Sequence, residues 1–191
     1  MKTHRRTNRS LPKFARIAFL AAASSLLAAC AGVQQPAAGP SAVATLEPRS
    51  GSSVSGKVTF TGAGQKTHVE AHVSGLTPGA HGFHVHEVGD CSAPDASSAK
   101  GHFSPVGRRH GSPGSAEHHA GDMPNLVADA SGKATYSADL DMLPPTEGGG
   151  GIVKRSVVVH ADPDDYVSQP AGNSGKRVAC GVIQVVAGGS Y

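Results

Sequence analysis

The chain has 191 residues with 17 basic and 14 acidic side chains, 25 glycines, 13 prolines and only 4% aromatics. Residues 1–16 carry six of the basic residues (Lys2, Arg5, Arg6, Arg9, Lys13, Arg16) and no acid, so the rest sets eleven bases against 14 acids, net −3. The basic average therefore belongs to the N-terminal end and excludes a nucleic-acid partner.

An apolar run over residues 17–29 follows, too short to span a bilayer and of the length of a signal-peptide core. It ends in Leu27-Ala28-Ala29-Cys30, which resembles the bacterial lipobox, where the cysteine is acylated and becomes the new N-terminus. The alternative is an ordinary Ala-x-Ala cleavage site beside an incidental cysteine; the apolar run stopping at Cys30 favours the lipid. The Arg5-Arg6 pair lacks the apolar residues that should closely follow a twin-arginine signal. The expected organisation is a lipoprotein-type signal peptide over 1–29, a lipidated N-terminus and flexible Ala/Pro/Gly/Gln-rich tether over 30–41, and one domain over 42–191. It places the protein in the periplasm or cell envelope, attached to a membrane through lipid on Cys30. Subunit assembly is not set by the sequence, and a homodimer is one arrangement open to it.

From residue 42 short strand signals recur between glycines and prolines. Strands are expected over 42–47 and 54–61. Over 67–74, Val69, Ala71 and Val73 alternate with His68, Glu70 and His72, a strand with one wet face. That pattern makes His68 and His72 surface residues rather than ligands. A strand over 82–87 places Phe83 and Val85 on one face and His84 and His86 on the other. Residues 126–128 and 133–140 are expected to form a hairpin about Ala130-Ser131-Gly132, and 155–161 and 180–186 are short apolar strands. About eight strands, no helix and two long connections, 90–125 and 162–177, describe an all-β sandwich or flattened barrel. Connections of that length are functional more often than not.

With Cys30 assigned to lipid, Cys91 and Cys180 remain. In an exported protein an even pair reads as a disulfide, with two buried thiols as the alternative. Closing a loop of about 90 residues contributes at most about 4–5 kcal/mol.

The histidines cluster. His84 and His86, at i and i+2 of one strand, face the same side. His102, His110, His119 and Asp122 fall in one Gly/Pro-rich connection, and His160 ends the run Val157-Val158-Val159. His110, His119 and Asp122 offer two nitrogens and a carboxylate and, with one more nitrogen, make a closed tetrahedral zinc set. His84, His86 and His160 offer imidazole only, which suits copper. Seven side chains serve two four-coordinate ions only if one is shared, and His102 lies between the groups in the chain. An imidazole bridging through both nitrogens would leave the ions about 6 Å apart, given metal–nitrogen bonds of about 2 Å.

The strings Gly82-Phe83-His84-Val85-His86-Glu87, Gly101-His102-Phe103, Arg109-His110-Gly111, His119-Ala120-Gly121-Asp122, Val158-Val159-His160 and Gly172-Asn173-Ser174-Gly175-Lys176-Arg177-Val178-Ala179-Cys180-Gly181 together resemble the copper,zinc superoxide dismutases over residues 42–187. The resemblance implies an eight-stranded antiparallel Greek-key barrel with two long functional loops. It implies dismutation of superoxide to oxygen and hydrogen peroxide, with copper on His84, His86, His102 and His160 and zinc on His102, His110, His119 and Asp122. It also implies the disulfide Cys91–Cys180, and Asp164 as a carboxylate joining His84 to His110. Arg177 corresponds to the arginine at the mouth of the copper channel, where it would guide the substrate. His81 matches a histidine that is not a ligand, and the spacing to Asp122 selects His119 over His118.

Another reading uses the same ligands in an envelope copper/zinc buffer or delivery protein without turnover. Carriers of Cu(I) usually offer thioether sulfur, and Met1, Met123 and Met142 do not cluster with the histidines. A β-sandwich adhesin with a structural zinc leaves the imidazole-only group unexplained. A zinc hydrolase needs a general base near an open zinc position, and none is evident.

Overall fold

The computed structural model describes residues 39–186; the leader, Cys30 and most of the tether lie outside the described residues. Nine strands run in chain order: β1 (Ser41–Pro48), β2 (Ser55–Ala63), β3 (Lys66–Ser74), β4 (Gly79–His81), β5 (Phe83–His86), β6 (Leu126–Ala128), β7 (Ala134–Leu140), β8 (Ser156–His160) and β9 (Arg177–Val185). One 3-10 turn, Ser97–Ala99, is the only helical element among the described residues. None of their helices is long and apolar enough to cross a membrane.

Seven strands form one antiparallel sheet in the order β5-β8-β9-β1-β2-β3-β7, and β4 pairs with β6. The edge strands β5 and β7 are each entered from this small sheet, β5 from β4 through Gly82 and β7 from β6 through a tight turn. The small sheet thus lies in the chain before each of the two edge strands of the curled one. Period-two alternation sets the core: on β3, Thr67, Val69, Ala71 and Val73 are buried while Lys66, Glu70, His72 and Ser74 are exposed. The inward side chains meet Leu46, Val58, Phe60, Phe83, Leu126 and Ile183 in one apolar cluster. Each large side chain fully buried there contributes about 1.5–3 kcal/mol.

The expected hairpin between β6 and β7 is corrected by the pairing. The turn exists, with Asp129 N–H donating to Lys133 O at 2.9 Å. Its arms, however, join different sheets: β6 pairs with β4, and β7 with β3 over Thr67↔Leu140 to Val73↔Ala134. Turn chemistry marks where a chain reverses but not which neighbour each arm takes. Strand β4 is a ninth strand beyond the eight expected, three residues too short to show a period.

Two features aim the site. On β5 one edge is paired with β8, as His84↔Val158 and His86↔Ser156. The other edge takes loop backbone: Val85 N–H donates to Gly121 O, and Phe103 N–H to Val85 O, both at 2.9 Å. These bonds set His102 and Asp122 beside the β5 histidines. Gly121 is required for that approach, because a Cβ there would meet Val85 O. A register shift at Val159/His160 then places His160 opposite Arg177 at the end of the β8–β9 ladder, as bulges beside functional sites do.

Candidate metal centre

His84, His86, His102 and His160 offer ligand atoms within 4.8 Å of one another, and so do His102, His110, His119 and Asp122. All seven are buried, and His102 belongs to both groups. The two groups are called here the imidazole group and the mixed group.

Outward hydrogen bonds select the nitrogen that each ring presents inward. His86 Nδ1 donates to Lys100 O at 2.9 Å and His160 Nδ1 to Gly175 O at 3.3 Å, so both turn Nε2 inward, 3.5 Å apart. His84 and His110 have the opposite tautomer. Their Nε2 atoms donate to Asp164 Oδ2 at 2.7 Å and Oδ1 at 2.9 Å, leaving Nδ1 to point into the site. One carboxylate thus orients a ligand of each group. Asp122 gathers the mixed group: Oδ1 lies 2.7 Å from His102 Nδ1, 3.0 Å from His110 Nδ1 and 3.4 Å from His119 Nδ1. Its Oδ2 accepts the backbone N–H of Gly111 and of His119.

Three buried imidazole nitrogens, His84 Nδ1, His102 Nε2 and His119 Nδ1, have no hydrogen-bond partner. Leaving such an atom unpaired costs about 1–3 kcal/mol. All three converge on the positions that an ion in each group would occupy, so the residues fit two cations joined by the His102 ring.

The charges of the groups differ. Burial holds His86 and His160 well below the usual imidazole range, with His102 adding to the effect on His86 and His84 to that on His160. Burial also lowers His84 and brings His102 down to about 3. These four are neutral at pH 7, the form that ligates. Burial opposes charge on His110 as well, but hydrogen bonds to Asp122 and Asp164 outweigh it and raise the ring to about 9. Burial likewise opposes charge on Asp122 and Asp164. The hydrogen-bonded histidines prevail and hold both carboxyls well below their usual range.

Arg177 is half-buried beside the imidazole group, with Nη1 donating to Ala96 O and Nη2 to Lys100 O, both at 2.7 Å. The Lys100 carbonyl therefore holds both Arg177 and His86. Cys91 and Cys180 form a disulfide with 5.8 Å between Cα atoms, tying β9 to the connection that carries His102. Phe103, next to His102, lies under the Arg155 guanidinium at 3.7 Å, a cation–π contact. A cavity of about 250 Å³ opens onto His160, lined also by Gln169, Asn173 and Gly175.

Three histidines outside the groups have local partners among the described residues. His81 Nδ1 donates to His160 O at 2.9 Å, His118 Nδ1 to His119 O at 2.7 Å, and His68 pairs with Asp139 across β3 and β7. Sequence reasoning missed Lys100, Asn125, Tyr166 and Gln169, which touch the site mainly through backbone or amide contacts. Of these only Lys100, directly before the Gly101-His102 string, carried any local signal.

The family model for copper/zinc superoxide dismutase matches residues 54–183, about two thirds of the chain. The chain belongs to the copper/zinc superoxide dismutase family. It is 45% identical over 137 residues to Superoxide dismutase (Cu-Zn) 2 of Brassica juncea, covering 68% of this chain and 89% of that protein. The crystal structure of the clock protein EA4 superposes with a TM-score of 0.70 at 38% identity, covering 76% of this chain and 94% of that one. As a copper/zinc superoxide dismutase this chain is an oxidoreductase, and its two buried ligand groups suit the family's copper and zinc.

Proposed function

We propose that the chain dismutates superoxide at the cell envelope, with copper on His84, His86, His102 and His160 and zinc on His102, His110, His119 and Asp122. The observation that carries the reading is the double membership of His102. An imidazole-only set and a carboxylate-containing set, joined through one ring, match the donor preferences of copper and zinc.

In the reaction two superoxide anions and two protons give one oxygen and one hydrogen peroxide. When bound, copper supplies a one-electron redox couple and zinc, which has no redox chemistry, supplies fixed positive charge beside it. The chain does the rest. His102 would keep Nδ1 for zinc beside Asp122, and with zinc there its Nε2 could hold a proton whenever copper does not occupy that nitrogen and release it to the reduced product. Arg177, held by two carbonyls, keeps a positive charge beside His86 and His160 where the anion arrives. This is electrostatic steering, for which superoxide dismutase is itself a standard case. Asp164 keeps His84 and His110 in the tautomers that bind.

Residues 1–29 would act as a lipoprotein-type signal peptide, Cys30 as the lipid attachment site, and the segment to residue 41 as a tether to the enzyme domain. Support comes from the basic stretch, the 13-residue apolar run and the cysteine at its end. Metal analysis joined to a superoxide-decay assay tests the site: one copper and one zinc per chain with rapid decay is expected, and metal uptake without decay supports the buffer reading. Membrane fractionation tests the anchor. Cys30→Ser should move the protein from the membrane to the soluble fraction, and an unchanged distribution would remove the lipid from the proposal.

A further inference from the structure

A loop residue that supplies a metal ligand lacks a ladder partner for its own peptide groups, and buried peptide groups must be paired. His110 is 4% exposed and lies outside every strand. Its N–H nevertheless donates to Gln169 Oε1 at 3.0 Å, and its C=O accepts from Gln169 Nε2 at 2.9 Å. The side-chain amide presents a donor and an acceptor side by side, as a peptide unit on a neighbouring strand would. The connection bearing Gln169 also holds the His110 ring, through Asp164 Oδ1 at 2.9 Å. Asp164 is gripped in return: Asn125 Oδ1 accepts its N–H at 2.9 Å, and Asn125 Nδ2 donates to its C=O at 3.0 Å. Tyr166 closes the circuit, its Oη accepting the Asn125 N–H at 2.8 Å. Each long connection thus lends one amide side chain to the other's residue in the His110–Asp164 pair.

We infer that Gln169 is a positioning residue for His110: its amide fixes the backbone from which the imidazole is presented, so that Nδ1 faces Asp122 Oδ1 before an ion arrives. Gln169 itself is exposed. It buries little apolar surface, and its contribution is separable from packing. The inference rests on the zinc assignment of His102, His110, His119 and Asp122.

The test uses Gln169→Ala and Gln169→Glu in the full chain with its disulfide intact. Zinc affinity is read by competition with a chromophoric chelator, ligand geometry by the visible bands of cobalt(II) in the mixed group, and fold by melting of the metal-free protein. Gln169→Ala should weaken zinc binding about tenfold, the lower end for residues that support a ligand. It should also shift the cobalt(II) bands and leave the metal-free melting temperature unchanged. Gln169→Glu keeps the acceptor but turns an oxygen toward the His110 carbonyl, and should weaken zinc binding at least as much. Wild-type affinity and bands in both variants overturn the inference. A loss of affinity accompanied by a lower metal-free melting temperature and unshifted bands also overturns it, in favour of a merely structural contact. A wild-type chain that takes up no zinc overturns the zinc assignment instead.

Discussion

Three ligands of the imidazole group, His84, His86 and His160, stand on β5 and β8, where the ladder fixes their backbone. The three ligands peculiar to the mixed group, His110, His119 and Asp122, come from the connection between β5 and β6. For the strand ligands His86 and His160 a carbonyl completes the orientation. In the loop group Asp122 caps two backbone N–H groups while Asp164 and Gln169 hold His110. Strand backbone fixes where these imidazoles stand and burial keeps them neutral, with His84 alone among the three also donating to a carboxylate, Asp164. Loop backbone needs carboxylates to assemble it, and those carboxylates bring the charge that distinguishes the second group.

The strongest test of that contrast removes one strand ligand. His160→Ala should abolish copper-dependent superoxide removal while zinc content stays at the wild-type level, by metal analysis and decay assay. Loss of both metals together would show that the groups do not behave separately.

A second test uses pH. In the metal-free protein His110 is raised to about 9, so below that pH the mixed group binds a cation only by expelling the His110 proton. Apparent zinc affinity should therefore fall about tenfold per pH unit as pH drops from 9 toward 7. The imidazole group, whose rings are already neutral, should show almost no change over that range. Calorimetry in buffers of different ionisation enthalpy would detect the released proton.

Arg177→Ala probes the open side of the imidazole group. It should lower kcat/KM by about tenfold and flatten the dependence on ionic strength, because the guanidinium charge beside His160 is lost. Zinc binding should not change.

The smallest effect concerns Lys100, whose backbone sits at φ 64°, ψ −146°, a region essentially confined to glycine. Lys100→Gly relieves about 1–3 kcal/mol of strain, less about 0.4–1 kcal/mol for glycine's freedom in the unfolded chain. A net gain of about 1 kcal/mol, seen as a higher melting temperature, is expected. Copper binding should persist because the Lys100 carbonyl still accepts from His86.

Much of this was legible in one dimension. Alternation on β3 separated Val69 and Val73 from His72, and the i, i+2 spacing of His84 and His86 put both rings on one face. The choice of His119 over His118 came from the resemblance, whose pattern the three-residue spacing to Asp122 matches. That β6 pairs with β4 and β7 with β3 was not legible, because a Gly132 turn is compatible with several partners for each arm. Nor was Gln169, an exposed amide 59 residues from His110 with no pattern around it.

Residue type and local period in the sequence sorted the candidate ligands into an imidazole-only and a carboxylate-containing set and put some of them on strands, while the resemblance supplied their assignment to copper and zinc. The tertiary structure supplied the geometry for what the resemblance had implied, His102 within both groups and Asp164 reaching His84 and His110 together, and it alone revealed the bulge that sets Arg177 opposite His160. Those relations depend on where separate segments meet, and burial with complementary hydrogen bonding across the chain decides that.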